Sequence, residues 1–142
     1  MILLDVNILV QANREDADLH QEIKTWLEGT FRNPPGVAVS DLVLSGCLRI
    51  LTHPKIFKEP TPLSQALEFI EDFRSREAVH VLAPGPGHWK IFADLCRKVS
   101  ARGNFVADAY HAALALELGC EWVTLDRDFA RFPRLKWRHP LD

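Results

Sequence analysis

Four short apolar runs, each separated from the next by helix-patterned sequence, confine this chain to a small set of folds. They are Ile2–Leu4, Val37–Val39, Val79–Leu82 and Trp122–Leu125. Between them the apolar residues recur at helical spacing. Helices are predicted from about Ile8, over Asp18–Gly29 (Leu19, Ile23, Trp26 and Leu27 on one face), from a Ser40 cap through Leu51, over Ser64–Arg74, over about His88–Ala101 and over about Phe105–Leu118, where Gly119 ends the last one. Arg32–Gly36 reads as a turn, Pro54 stops the third helix, and Leu135–Trp137 reads as a last edge strand. Strands alternating with helices predict a single α/β domain over residues 1–142, with a central parallel sheet of four to five strands flanked by helices. In such sheets ligands bind at the carboxyl ends of the strands.

The size and balance of the chain fit that domain. At 142 residues, 47% of them hydrophobic, it supports one core. Seventeen basic and nineteen acidic side chains give a formal charge of −2, which argues against a generic basic nucleic-acid binder. The charge is uneven, however. Arg127, Arg131, Arg134, Lys136 and Arg138 make a basic end that either faces phosphates or is an ordinary solvated face. Cys47, Cys96 and Cys120 lack metal-ligand spacing and read as buried free thiols in a reducing cytosol. No signal segment or membrane-length apolar run is present, so a soluble, cytoplasmic protein is expected. The four tryptophans read as core residues, while His53 and His139 precede prolines and belong to loops. There is no paired-histidine zinc motif, no Gly-rich phosphate loop ending in Lys-Ser/Thr and no nucleophile elbow.

Three aspartates stand out against this background. Asp5 follows the first strand and Asp126 closes the fourth, while Asp108 lies in an alanine-rich helix. Each has a plain alternative: Asp5 as a helix cap, Asp108 as part of an exposed stripe, Asp126 in a turn. Asn104 and His111 share Asp108's face, and Asp128 is the expected cap of the short DFARF helix. Together, three carboxylates at one edge of a parallel sheet suggest a divalent-cation site. Burying an ionised carboxylate costs several kcal/mol unless it is paired or holds a metal, and oxygen-ligand Mg²⁺ sites use one or two carboxylates plus substrate phosphate. The residues thus point to metal-dependent phosphodiester chemistry, with Asn7 steadying Asp5.

Four segments carry a further likeness: LLDVNILVQA at the start, SGCLRILTHPKIF in the middle, GNFVADAYHAALALELG, and VTLDRDFARFPRLKW at the end. In this order and spacing they resemble the PIN-domain ribonucleases, and more narrowly the VapC toxins of toxin–antitoxin pairs. The resemblance implies a Mg²⁺- or Mn²⁺-dependent endoribonuclease acting on structured RNA such as tRNA, homodimerisation, and neutralisation by a small VapB-like antitoxin. It maps the metal-binding acids onto Asp5, Asp108 and Asp126. Many relatives carry a glutamate where this chain has Gly46, which implies fewer or weaker metals, with Asp128 as a substitute ligand. Arg49 shares the face of Gly46 and is expected to line the site and contact phosphate or an aspartate. Two rivals remain at this stage: a catalytically weakened PIN-like module that binds RNA or antitoxin, and a small phosphohydrolase. The antitoxin is expected to dock between the helices around Leu42–Leu51 and Ser64–Phe73.

Overall fold

A computed structural model describes all 142 residues. Five strands form one sheet: β1 (Ile2–Leu4), β2 (Val37–Val39), β3 (Val79–Val81), β4 (Glu121–Val123) and β5 (Trp137–Arg138). Six α-helices join or flank them: α1 (Val6–Asn13), α2 (His20–Phe31), α3 (Asp41–Leu51), α4 (Leu63–Arg74), α5 (His88–Val99) and α6 (Asn104–Leu118). The spatial strand order is β3-β2-β1-β4-β5, and every pairing is parallel. This is the predicted α/β sheet, at the upper end of the expected strand count.

The order explains where a ligand can sit. From β1 the chain steps outward through β2 to β3, then crosses back to lay β4 on the other side of β1. Connections diverge at the β1–β4 boundary, and such a switch point opens a crevice beyond the carboxyl ends of the strands. Leu3 pairs with Ala38 on one side and Trp122 on the other, so β1 is walled on both edges. Leu3, Leu4, Val37, Ala38, Val39, Trp122 and Val123 are wholly buried. Burial on both faces is why these strands are continuous apolar runs rather than alternating ones.

Several boundaries depart from the sequence reading. Helix α1 begins at Val6, not Ile8, because Asp5 caps it: the Asp5 carboxylate accepts from the Val6 N–H at 2.6 Å. Helix α2 starts at His20 and runs past Gly29 to Phe31. Strand β4 ends at Val123, so Asp126 lies beyond the strand and not at its end. Asp126, not Asp128, caps the 3₁₀ turn Arg127–Arg131, accepting from the Asp128 N–H at 2.9 Å. Strand β5 is Trp137–Arg138, displaced from Leu135–Trp137. Trp122 is core, but Trp89 is 70% exposed, and Cys96 is only partly buried. Both lie on α5, whose apolar residues outnumber the core positions available to it. The Ser40 cap of α3 is as expected, with the Val43 N–H donating to its Oγ at 3.1 Å.

Candidate active site

One cavity of about 580 Å³ opens at the β1–β4 switch point, and it gathers Asp5, Asn7, Arg49, Asp108 and Asp126. These residues come from distant parts of the chain: Asp5 at the N-cap of α1, Asp108 from the second turn of α6, Asp126 from the loop after β4. Small residues allow the approach. Ala109, Ala112, Ala113 and Ala115 are buried, so α6 packs close to the sheet and turns Asp108 toward the crevice.

Asp5 is the most constrained of the three. Its Oδ1 accepts from the Val6 N–H, and its Oδ2 accepts from the Thr124 hydroxyl at 2.6 Å and from the Asn7 amide at 3.2 Å. Asn7 also donates to Thr124 Oγ1 at 3.2 Å and accepts from the Leu125 N–H at 3.1 Å. The Asp126 N–H donates to the same Thr124 oxygen at 3.0 Å. Thr124 is therefore the joint between two of the acids. The sequence reading did not single it out, although a threonine at the end of a buried apolar strand was the available signal.

The electrostatics are those of carboxylates held together. Burial pushes the Asp5 carboxyl up to about 6, against the lowering effect of its Thr124 and Val6 hydrogen bonds, and repulsion from Asp126 adds to the rise. Asp108 is also raised to about 6, first by burial and then by repulsion from Asp5, Asp126 and Asp128. Asp128 does not line the cavity, but its charge is felt there. No three His, Cys, Asp or Glu side chains are drawn close enough to form a ready-built metal group. Three carboxylates face the cavity, and a hard cation would relieve the repulsion among them. That oxygen donor set suits a hard cation such as Mg²⁺ or Mn²⁺.

Helix α3 forms the facing wall with Leu42, Ser45, Gly46, Arg49 and Ile50. A Cβ on Gly46 would come within 2.9 Å of Val6 Cγ2, so α1 and α3 approach too closely there for a larger residue without movement. Asp41 is turned away and pairs with Arg74 at 2.9 Å, so it does not replace a carboxylate at position 46. Arg49 lines the cavity as expected. Its guanidinium bonds no aspartate, and it remains exposed and unpaired. The basic end is largely committed elsewhere: Arg127 pairs with Asp142, Arg138 with Glu121, and Arg131 lies over the Phe105 ring. Asn104 and His111 share the cavity with Asp108, as their spacing on α6 predicts. His111 is buried, stacked on Trp122 with ring centroids 5.3 Å apart, and its imidazole is held neutral, pushed down to about 4 chiefly by burial.

A parallel sheet in this order, with acids collected at its switch point, defines an acidic-site α/β domain, and comparison places it: the chain belongs to the PIN-domain family, whose profile matches residues 2–135. Its relatives within that family are VapC ribonucleases. It is 41% identical over 142 residues to VapC ribonuclease Mb2897 of Mycobacterium bovis, covering 100% of this chain and 97% of the relative. It is 34% identical over 140 residues to ribonuclease VapC25 of Mycobacterium tuberculosis, covering 99% of each. Among solved structures, the fold matches VapBC2 of Rickettsia felis bound to a promoter DNA fragment, with a TM-score of 0.74 at 21% identity over 98% of both chains. It also matches VapC20 of Mycobacterium tuberculosis, described as a sarcin–ricin loop-cleaving toxin, with a TM-score of 0.69 at 19% identity over 92% of this chain and 93% of the other.

Proposed function

We propose that this chain is a divalent-metal-dependent endoribonuclease, the toxin of a VapBC-type pair, that hydrolyses phosphodiester bonds in structured RNA such as tRNA. The observation that carries the reading is convergence. Asp5, Asp108 and Asp126 reach one cavity from three separate elements, and the first two are raised to about 6 by burial and mutual repulsion. A helix cap or a solvated stripe requires no such arrangement, whereas perturbed acids in a cleft are expected of a working site.

Asp5 and Asp108, with Asp126, would hold Mg²⁺ or Mn²⁺. When bound, the metal supplies Lewis acidity toward a phosphate oxygen and a water of lowered pKa. The chain's own residues do the rest. Thr124 and Asn7 fix the Asp5 carboxylate. Arg49, unpaired on the facing helix, meets the phosphate backbone, a contact that positions RNA without reading its sequence. Target choice then rests on the fold of the RNA. The family reading brings a VapB-like antitoxin, homodimerisation and a cytoplasmic setting with it. Exposed Leu42 and Leu63 offer apolar area to the antitoxin on the α3–α4 side, and no helix is long and apolar enough to cross a membrane.

A second reading, a PIN-like RNA- or antitoxin-binding module with a weakened site, draws support from Gly46. Incubating tRNA with the pure protein in Mg²⁺ separates the two. The nuclease reading expects cleavage that EDTA abolishes and that Asp5→Ala and Asp108→Ala each reduce at least about 100-fold, since the metal contributes several kcal/mol of charge stabilisation. RNA binding without cleavage, across tRNA and ribosomal RNA pools, selects the binding module.

A further inference from the structure

His111 is a buried cavity-lining side chain neither of whose ring nitrogens bonds a protein group. It is 92% buried by its 8% exposure, and its Nδ1 is enclosed with no hydrogen-bond partner. Its Nε2 is neither enclosed nor bonded to any protein group, so the ring edge that reaches the cavity carries Nε2. The stack on Trp122, interplanar angle 16°, and the edge contact with Tyr110 hold the ring in that pose.

The tautomer follows from this geometry. An enclosed N–H without an acceptor is rarer and less tolerable than an enclosed lone pair. The proton therefore sits on Nε2 and points into the cavity. A ring in this state is a poor metal ligand for two reasons: its outward nitrogen has no free lone pair, and metal-bound histidines normally donate their other N–H to a partner that Nδ1 lacks here.

We propose that the His111 Nε2–H is a hydrogen-bond donor to a non-bridging oxygen of the phosphodiester bound over Asp108, making it a substrate-positioning residue and not a metal ligand. The inference rests on the ribonuclease reading for the identity of the phosphodiester, but anion recognition by this imidazole can be tested without turnover.

The test uses the full chain with Mg²⁺ and follows the His111 imidazole by long-range ¹H–¹⁵N correlation while inorganic phosphate is added. The expected spectrum shows the Nε2–H tautomer, with a saturable shift of the Nε2 resonance. The Nδ1–H tautomer, or an Nε2 signal that phosphate does not move, overturns the proposal. His111→Leu and His111→Gln then separate positioning from scaffold, because glutamine can place an amide donor near the Nε2 position. His111→Leu should lose roughly 10- to 100-fold in kcat/KM for RNA, the span of a hydrogen bond to a charged group. His111→Gln should stay within about threefold of wild type, and both should keep wild-type Mn²⁺ affinity by calorimetry. Equal loss in both variants with matched unfolding temperatures, or a loss of Mn²⁺ affinity, overturns the donor role. If the wild type cuts no RNA, the ribonuclease reading falls alone, since the imidazole measurement still decides the anion contact.

Discussion

Asp5 and Thr124 show how one hydrogen bond can link fold and site. The Thr124 hydroxyl donates to Asp5 Oδ2 while its oxygen receives the Asn7 amide and the Asp126 N–H. Thr124→Val keeps the shape and removes all three bonds. It should cost about 1–3 kcal/mol, the desolvation penalty of groups left unpaired, measured by urea unfolding. Metal affinity should fall with it, because Asp5 would lose its fixed orientation. The acids also set a pH dependence for the metal-free protein. Asp5 and Asp108 are raised to about 6 from the ordinary carboxyl value of 3.8, so the folded state binds protons more tightly than the unfolded one. Their contribution to stability is full below about 3.8 and is lost as pH rises through about 6. In EDTA, Asp108→Asn should therefore be more stable than wild type at pH 7, by about 1 kcal/mol after allowing for solvent screening. The gap should close near pH 4. With Mg²⁺ present the order should reverse, because the metal stabilises the wild type more than a variant with one carboxylate fewer.

At the level of elements, α1 and α3 meet where Gly46 leaves room for Val6. Gly46→Ala gains about 1 kcal/mol of helix propensity but drives a Cβ to 2.9 Å from a branched side chain with little rotamer freedom. A double-mutant cycle with Val6→Ala should give a coupling of about 1 kcal/mol, with the second substitution relieving the first. Independent, additive effects would show that the helices move apart freely. These elements also show what the sequence discloses. Short apolar runs and helical periodicity are enough to place the strands, because burial on both faces of a parallel sheet leaves a direct compositional imprint. Asp5 and Asp108 are legible because a carboxylate amid apolar residues is anomalous. Thr124 is not, since threonine is ordinary in a strand and its role depends on β4 lying beside β1, a pairing between residues 119 positions apart. The exchange of capping roles between Asp126 and Asp128 is equally hidden, because either residue can cap and only the length of β4 decides.

For the molecule as a whole, Arg127 and Arg138 at the basic end are ion-paired, whereas Arg49 in the cavity is free to meet a polyanion. RNA affinity should fall as salt rises, and Arg49→Ala should reduce the slope of log K against log salt by about 1, read by filter binding over a salt series. An unchanged slope would remove Arg49 from the RNA contact. The sheet order has a consequence for synthesis as well. Strand β1 is made first, yet it is the centre of the sheet, and its partner β4 is made more than a hundred residues later. While a ribosome is still extending the chain, Asp5 has neither Thr124 to fix it nor Asp126 beside it, and α6 has no β4 to pack on. On the proposed reading a chain cut after Val123 should therefore cleave no RNA, because the cavity exists only once the segment carrying Thr124 and Asp126 has been made and has joined β1.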